Sequence, residues 1–369
     1  MVNKERVINT FFEYVKIDSE TGNEKNMFQR LAQDLRKLGF KVYIDNAGEK
    51  CKSNGNNVYC FGEGTFDAEP LLFSAHMDTV KPGVGIEPYI DGKYIKSKTD
   101  TILGADDKSG VVAIMEALKV VKEKNLPLRP LEIVFTISEE KGLLGAKNLE
   151  FDRLKAKNAI VIDSSGNAGD IKIQAPGKKH VIMEVEGIAS HAGAYPEKGI
   201  SSIMVASEAI ANMKLLRIDE ETTANIGSFI APGPDNIVCS HAEITAEIRS
   251  MSSDKLDDQL HHMMECFEKA SKRHGAKITS EVVTDYEPYK LDDNIDIVNL
   301  IKKKCKDFDI GTSVFADGGG SDANVYNKNG INAVAIGTGM DFVHTTKEQL
   351  FLDDFIKTIE VLVAVLTRP

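Results

Sequence analysis

The sequence predicts an α/β protein: a mixed sheet flanked by helices, interrupted by an inserted ferredoxin-like α+β domain. Three observations carry this. Strand-like and helical segments alternate up to Asp163, and strands such as "PLLFSA" and "NAIVID" are apolar on both faces, as in a sheet covered on both sides. From about residue 178 the order becomes β-α-β-β-α-β, the ferredoxin-like sequence of elements. After it the α/β texture resumes. The expected domains are residues 1–177 with 287–369, and residues 178–286 between them. A chain of 369 residues suits two domains, because single cores stop growing near ~250–300 residues.

The elements follow in order. Val7, Ile8, Phe11, Phe12 and Val15 share one face of a helix over 5–17. In "EKNMFQRLAQDLRKLG", Met27, Leu31, Leu35 and Leu38 recur at helical spacing, and Gly39 stops the helix. Strands "FKVYID", "NVYCFG" and "PLLFSA" come next. Between the first two, Cys51 and Cys60 flank "KSNGNNVY", whose Asn-Gly predicts a hairpin with the cysteines facing across it, reduced. "SGVVAIMEALKVVKE" reads as a helix opening after the loop Gly104–Gly110. A strand over 131–137, a short helix near 143–149 and the strand "NAIVID" complete this half.

The inserted domain reads as strand "KKHVIMEVEG", helix "SSIMVASEAIANMKLL", strands "ANIGSFIA" and "HAEITAEIRS", helix "KLDDQLHHMMECFEKASKRHG" and strand "KITSEVVTDY". Helix 294–306, strand "INAVAIG" and helix 351–367 return to the first domain.

Composition narrows the function. A net charge of -11 with no basic stripe argues against nucleic acid. No apolar run reaches the ~18–20 residues of a membrane span. The N-terminal stretch is amphipathic and lacks the apolar core of a signal peptide, so a cytoplasmic protein is expected. Five scattered cysteines without a C-x-x-C pair agree with that.

The acids and histidines concentrate where strands end. "PLLFSAHMDTV" puts His76 and Asp78 at one strand end, "FTISEE" puts Glu139 and Glu140 at another, and "AIVID" ends at Asp163. "INAVAIGTGMDFVH" brings in His344, and "GADDKSG" sets Asp106 and Asp107 at a helix start. Two adjacent glutamates after a buried strand repel each other unless a cation is near. In open α/β sheets the C-terminal strand ends form the ligand crevice. Two histidines and several carboxylates without thiolates suit zinc or a similar divalent ion; manganese and cobalt take the same ligands. His180, His241, His261, His262 and His274 are read as structural. No phosphate-binding glycine motif supports a nucleotide site.

H-M-D-T-V, G-A-D-D-K-S-G, S-E-E-K-G-x-x-G-A, G-x-x-S-H-A-G and the late F-V-H together resemble the M20 metallopeptidase family, most nearly its peptidase T (tripeptidase) branch, over nearly the whole chain. The resemblance implies a zinc-exopeptidase-like catalytic domain with two divalent ions, and an inserted lid and homodimerisation domain. It implies that Asp106 bridges the ions, that His76 and Asp163 complete one, and that Glu140 and His344 complete the other. Glu139 would be the general base acting on a metal-bridging hydroxide, and Asp78 would orient His76. The peptide bond Asp106–Asp107 would be cis.

In the inserted domain, His191, Asn236 and the carboxylate-clamping Arg249 would bind substrate, as would Gly319 in the glycine-rich loop "DGGGSDAN". The implied activity is aminopeptidase or tripeptidase-like hydrolysis of short peptides. A related amidohydrolase (N-acyl amino acid deacylase, dipeptidase or carboxypeptidase) would use the same core. A non-catalytic relative should have lost a ligand or the base, and none is missing.

Overall fold

The computed structural model describes residues 2–367. It has two compact units: one made of the chain through Gln174, Lys290–Asp317 and the chain from Ser321, the other of Ala175–Tyr289 with Gly318–Gly320.

The larger unit is built on a nine-stranded sheet. At its centre the strands Leu131–Thr136, Leu71–His76, Asn158–Ser164 and Asn332–Gly337 lie side by side, all parallel. Antiparallel strands extend it: Val58–Gly62 and Lys41–Ile44 on one side, Asp170–Ala175 on the other. Every residue of Leu71–His76 and of Leu131–Thr136 is buried, as their unbroken apolar runs require when helices cover both faces. Helix Ala105–Glu123 is apolar nearly all round and buried nearly all round. It packs against helices Lys4–Val15 and Leu352–Thr367 and against the central strands. Arg6 Nε and Nη2 hold the buried Glu116 carboxylate at 2.9 and 2.6 Å, fastening the first helix to this one. Removing one partner of such a buried pair costs about 3–5 kcal/mol.

A second sheet of four short antiparallel strands joins Pro88–Asp91, Tyr94–Ser97, Gln349–Phe351 and Met340–Asp341. These strands run two to four residues and are partly exposed, so they leave little periodicity to read in the sequence.

The stretch around Asn54-Gly55 is not a tight hairpin. Lys41–Ile44 does pair antiparallel with Val58–Gly62, but the connection contains a short helix, Ala47–Cys51. Local side chains compete for the turn: Asn56 Oδ1 accepts the Gly48 N–H at 2.9 Å, and the Ser53 hydroxyl donates to the buried Glu24 carboxylate. Cys51 therefore sits on a helix and Cys60 on a strand, and both are buried free thiols.

The smaller unit is ferredoxin-like. Its sheet runs Thr222–Ile230, His241–Ser250, Gly177–Glu186, Lys277–Tyr286, all antiparallel. Alternate residues point inward: Val181, Met183 and Val185 on one strand, Ile244, Ala246 and Ile248 on its neighbour. They pack on helices Ser202–Ala211 and Ser253–His274. The first of these helices ends earlier than its apolar content predicts, because Asn212 caps it and donates back to the Glu208 carbonyl at 2.8 Å. Among the described residues no helix is long and apolar enough to cross a membrane.

Candidate metal centre

Leu71–His76 lies between Leu131–Thr136 and Asn158–Ser164. The chain runs on from Leu71–His76 to Leu131–Thr136 on one side, and from Asn158–Ser164 to Asp170–Ala175 on the other, so these two adjacent strands send their connections in opposite directions. That is the topological switch point, where a crevice opens at the C-terminal strand ends. His76 is the last residue of this strand. Glu139 and Glu140 follow the neighbouring strand, and Asp163 is at the end of the other. Asp106 opens helix Ala105–Glu123, and His344 lies between Met340–Asp341 and Gln349–Phe351.

The side chains converge. Asp106 divides its two oxygens between the histidines: Oδ1 is 2.9 Å from His76 Nε2, and Oδ2 is 3.2 Å from His344 Nε2. His76 Nε2 is also 3.9 Å from Asp163 Oδ1, and His344 Nε2 is 3.0 Å from Glu140 Oε1. Ligand atoms ~2.0–2.1 Å from a tetrahedral zinc stand ~3.3 Å apart, so these spacings suit a divalent ion. His76, Asp106 and Glu140 offer donor atoms within 4.8 Å of one another. His76, Asp107 and Asp163 do likewise, but the Asp107 oxygens already accept the N–H groups of His76 and Gly110 at 3.1 and 3.0 Å. Asp107 therefore braces the site. The bond Asp106–Asp107 is cis.

The backbone turns the two glutamates in. Ser138, just before Glu139, has φ 51°, and His344 has φ 62°, a left-handed conformation that residues other than glycine adopt sparingly and often at functional sites. Asp78 fixes the glutamates by accepting the N–H of Glu139 on Oδ1 at 2.9 Å and that of Glu140 on Oδ2 at 3.2 Å. The His76 ring meets this residue differently from the expectation. Its Nδ1 lies 2.9 Å from the Asp78 carbonyl and 3.5 Å from the carboxylate, because the carboxylate is drawn to the main chain of the glutamates and to the Thr21 hydroxyl at 2.8 Å.

The charge balance calls for a cation. Burial raises the Glu139 carboxyl well above its usual range, and burial with the neighbouring Asp106 raises Glu140 and brings Asp163 to about 7. Burial opposes charge on Asp106 too, but the imidazoles of His344 and His76 outweigh it and hold this carboxyl below the usual range. In return Asp106 and Glu140 raise His344 to about 10. Glu140 Oε1 is buried and accepts no well-directed hydrogen bond among the described residues, although the His344 nitrogen is close. Two electron-pair donors so placed need a proton or a metal between them. The donor set fits divalent ions.

Comparison with known proteins settles the family. The description of peptidase family M20/M25/M40 matches residues 72–368. The chain belongs to that family. It is 39% identical over 366 residues to the protein YqjE of Bacillus subtilis, covering 99% of each. Among solved structures it is similar to aminopeptidase PepT from Bacillus cereus: 40% identity, 99% of this chain, 98% of that one, TM-score 0.90. It is also similar to a tripeptidase from Staphylococcus aureus: 35% identity, 100% and 98% coverage, TM-score 0.95. The protein is thus an M20 metallopeptidase, a hydrolase.

Several carboxylates of this M20 chain were not singled out from the sequence. Glu24 is buried; its Oε1 accepts the N–H groups of Gly22 and Ser138 at 2.9 and 3.1 Å and the Ser138 hydroxyl at 3.0 Å. Glu348 accepts three N–H groups ahead of and at Asp106. Asp322 takes the Thr136 hydroxyl on Oδ2 at 2.5 Å, and its buried Oδ1 has no partner among the described residues. Lys108 is fully buried and donates to the Ile17 carbonyl at 2.7 Å; burial lowers its ammonium to about 7. Glu24 and Glu348 sit alone in polar stretches, where sequence reads only a solvated acid.

In the smaller unit His191 is exposed, and its Nδ1 accepts the N–H groups of Gly193 and Ala194, both at 3.1 Å. A neutral ring held this way carries its proton on Nε2. The Asn236 carbonyl accepts the Ala192 N–H at 2.9 Å, which keeps Asn236 beside the His191 loop. Arg249 is engaged on its own strand: Nε and Nη2 meet the Glu247 carboxylate at 3.0 and 3.3 Å, and Nη1 donates to the Gly318 carbonyl at 3.2 Å. Gly319 follows that carbonyl in the chain.

Proposed function

We propose that this M20 peptidase is a two-metal exopeptidase that removes residues from short peptides with a free amino terminus, as an aminopeptidase or tripeptidase. The observation that carries the reading is the divided carboxylate of Asp106, whose two oxygens each face a different histidine. His76 and Asp163 would hold one ion, Glu140 and His344 the other, with Asp106 shared and zinc the ion that suits this donor set. Bound there, two divalent ions lower the pKa of water towards ~7 and polarise the scissile carbonyl. Glu139, buried and not engaged as a ligand, takes the proton of the attacking water and returns it to the leaving amine. Asp78 keeps Glu139 and Glu140 in place through their main-chain N–H groups. Glu24 does the same for Ser138 before them.

His191 is suited to donate from Nε2 to the oxyanion, and Arg249 and Asn236 to hold the peptide, with Gly319 lining the substrate pocket. The smaller unit would also form a homodimer. Five free cysteines fit a reducing, cytoplasmic setting. The similarity to the aminopeptidase and tripeptidase structures supports peptides over N-acyl amino acids.

A panel of di-, tri- and tetrapeptides, blocked at either end, with N-acyl amino acids alongside, tests the specificity. Cleavage of tripeptides only when the amino terminus is free is expected. Cleavage restricted to N-blocked or N-acyl substrates would move the function to a carboxypeptidase or deacylase.

A further inference from the structure

We propose that Glu348 is a positioning residue for the metal centre: it holds the main chain that presents Asp106 and links it to the turn that carries His344. The inference rests on the two-ion reading above.

Glu348 is 2% exposed. Its Oε2 accepts the N–H groups of Leu103 and Gly104 at 2.7 and 2.8 Å, and its Oε1 accepts that of Asp106 at 2.9 Å. These donors stand at the start of helix Ala105–Glu123, where N–H groups lack intrahelical partners. No side chain of the local N-cap, Gly104, can serve them. A carboxylate some 240 residues away in the chain does so instead.

Gly104 has φ 75°, so the chain reverses sharply just where Glu348 grips it. Glu348 is itself placed by the turn after His344: its own N–H donates to the Thr345 carbonyl at 3.1 Å. One carboxylate therefore sets the separation between the loop of the shared ligand and the loop of a histidine on the second ion. Groups that orient metal ligands in this way typically contribute 10–100-fold in metal affinity.

The competing account is a remote helix cap that supports the fold alone. Glu132 provides the comparison: it is 5% exposed and accepts the N–H groups of Lys155 and Ala156 at 2.8 and 3.1 Å, at the other end of the strand that leads to the glutamates. The test compares full-length wild type, Glu348→Gln, Glu348→Asp and Glu132→Gln. Zinc affinity is read by competition with a chromophoric chelator, the visible spectrum after cobalt loading, and the melting temperature without metal.

Weakening of zinc binding by about 10–100-fold is expected for Glu348→Gln, with an altered cobalt spectrum, and wild-type affinity for Glu132→Gln. Should Glu348→Gln not fold, Glu348→Asp keeps the charge and shortens the reach, and the same loss is expected from it. Zinc affinity within twofold of wild type and an unchanged cobalt spectrum would overturn the proposal, as would an equal loss in Glu132→Gln. A wild-type protein that binds no zinc or cobalt would overturn the two-ion reading together with this one, an outcome distinct from a failure confined to the Glu348 variants.

Discussion

Asp78 accepts the main-chain N–H of Glu139 at 2.9 Å, so the residue read as the general base hangs from a fully buried carboxylate. The same side chain takes the N–H of Glu140. Two adjacent acids can occupy one buried turn because their backbone is fixed by a third acid and, in the proposed two-ion site, cations would offset their charge. Replacing Asp78 with Asn swaps one acceptor for a donor against these N–H groups. A fall in kcat of about 10–100-fold is expected, with zinc stoichiometry measured alongside. Unchanged kcat would show that the glutamate turn holds itself.

Glu139→Gln removes the proposed proton carrier and leaves the proposed ligands untouched. Turnover should drop by about 10²–10⁴-fold while elemental analysis still finds bound metal. Near-native turnover would remove Glu139 from the chemistry.

His191→Ala should lower kcat by about 10²–10³-fold, the usual effect of losing one oxyanion donor, with little change in KM. A rise in KM at constant kcat would make His191 a ground-state contact instead. The circular dichroism spectrum should stay native, because this side chain is exposed.

The metal-free protein should lose stability as pH rises from 5 to 8. Burial brings Asp163 to about 7 from its usual 3.8, and Glu348 to about 7 from 4.5. Folding holds these protons more tightly than the unfolded chain does, so each group's cost grows as pH climbs through that interval. His344 is raised to about 10 from 6.5; its favourable contribution is complete below its unfolded value and fades as pH rises towards 10. Asp106 is held low, so its contribution is already complete above about pH 4. Metal competes with protons for the same atoms, and the gap in melting temperature between loaded and chelated protein should widen with pH. Scanning fluorimetry across this range checks both trends. A chelated protein that grows more stable from pH 5 to 8 would contradict them.

Gly110→Ala should be damaging although glycine in a helix is normally replaceable. A Cβ there would collide with the Ile162 carbonyl and with the Asp107 carboxylate, the group that braces His76. Overpacking of this kind costs about 1–3 kcal/mol. Chemical denaturation should show the loss, and zinc affinity should fall with it.

The central strands and the candidate ligands at their ends were legible because both obey strong local rules. Leu71–His76 and Leu131–Thr136 are apolar runs of strand length, and a His, Asp or Glu just beyond such a run is conspicuous. Glu24 and Glu348 were not legible, since their partners are backbone groups brought near only by the fold. The short strands around His344 escaped for want of length, and the turn near Asn54-Gly55 misled because the Ser53 and Asn56 side chains outcompete the hairpin. Sequence marked Arg249 as a carboxylate clamp; the structure adds that Glu247 already occupies it.

The measurement that bears most directly on the proposed two-metal exopeptidase activity is hydrolysis of an unblocked tripeptide by purified protein, before chelation, after it, and during stepwise return of zinc, manganese or cobalt. Loss of turnover on chelation and its recovery as up to two equivalents of ion are restored is the predicted result. Full turnover by protein shown to be metal-free would contradict the account.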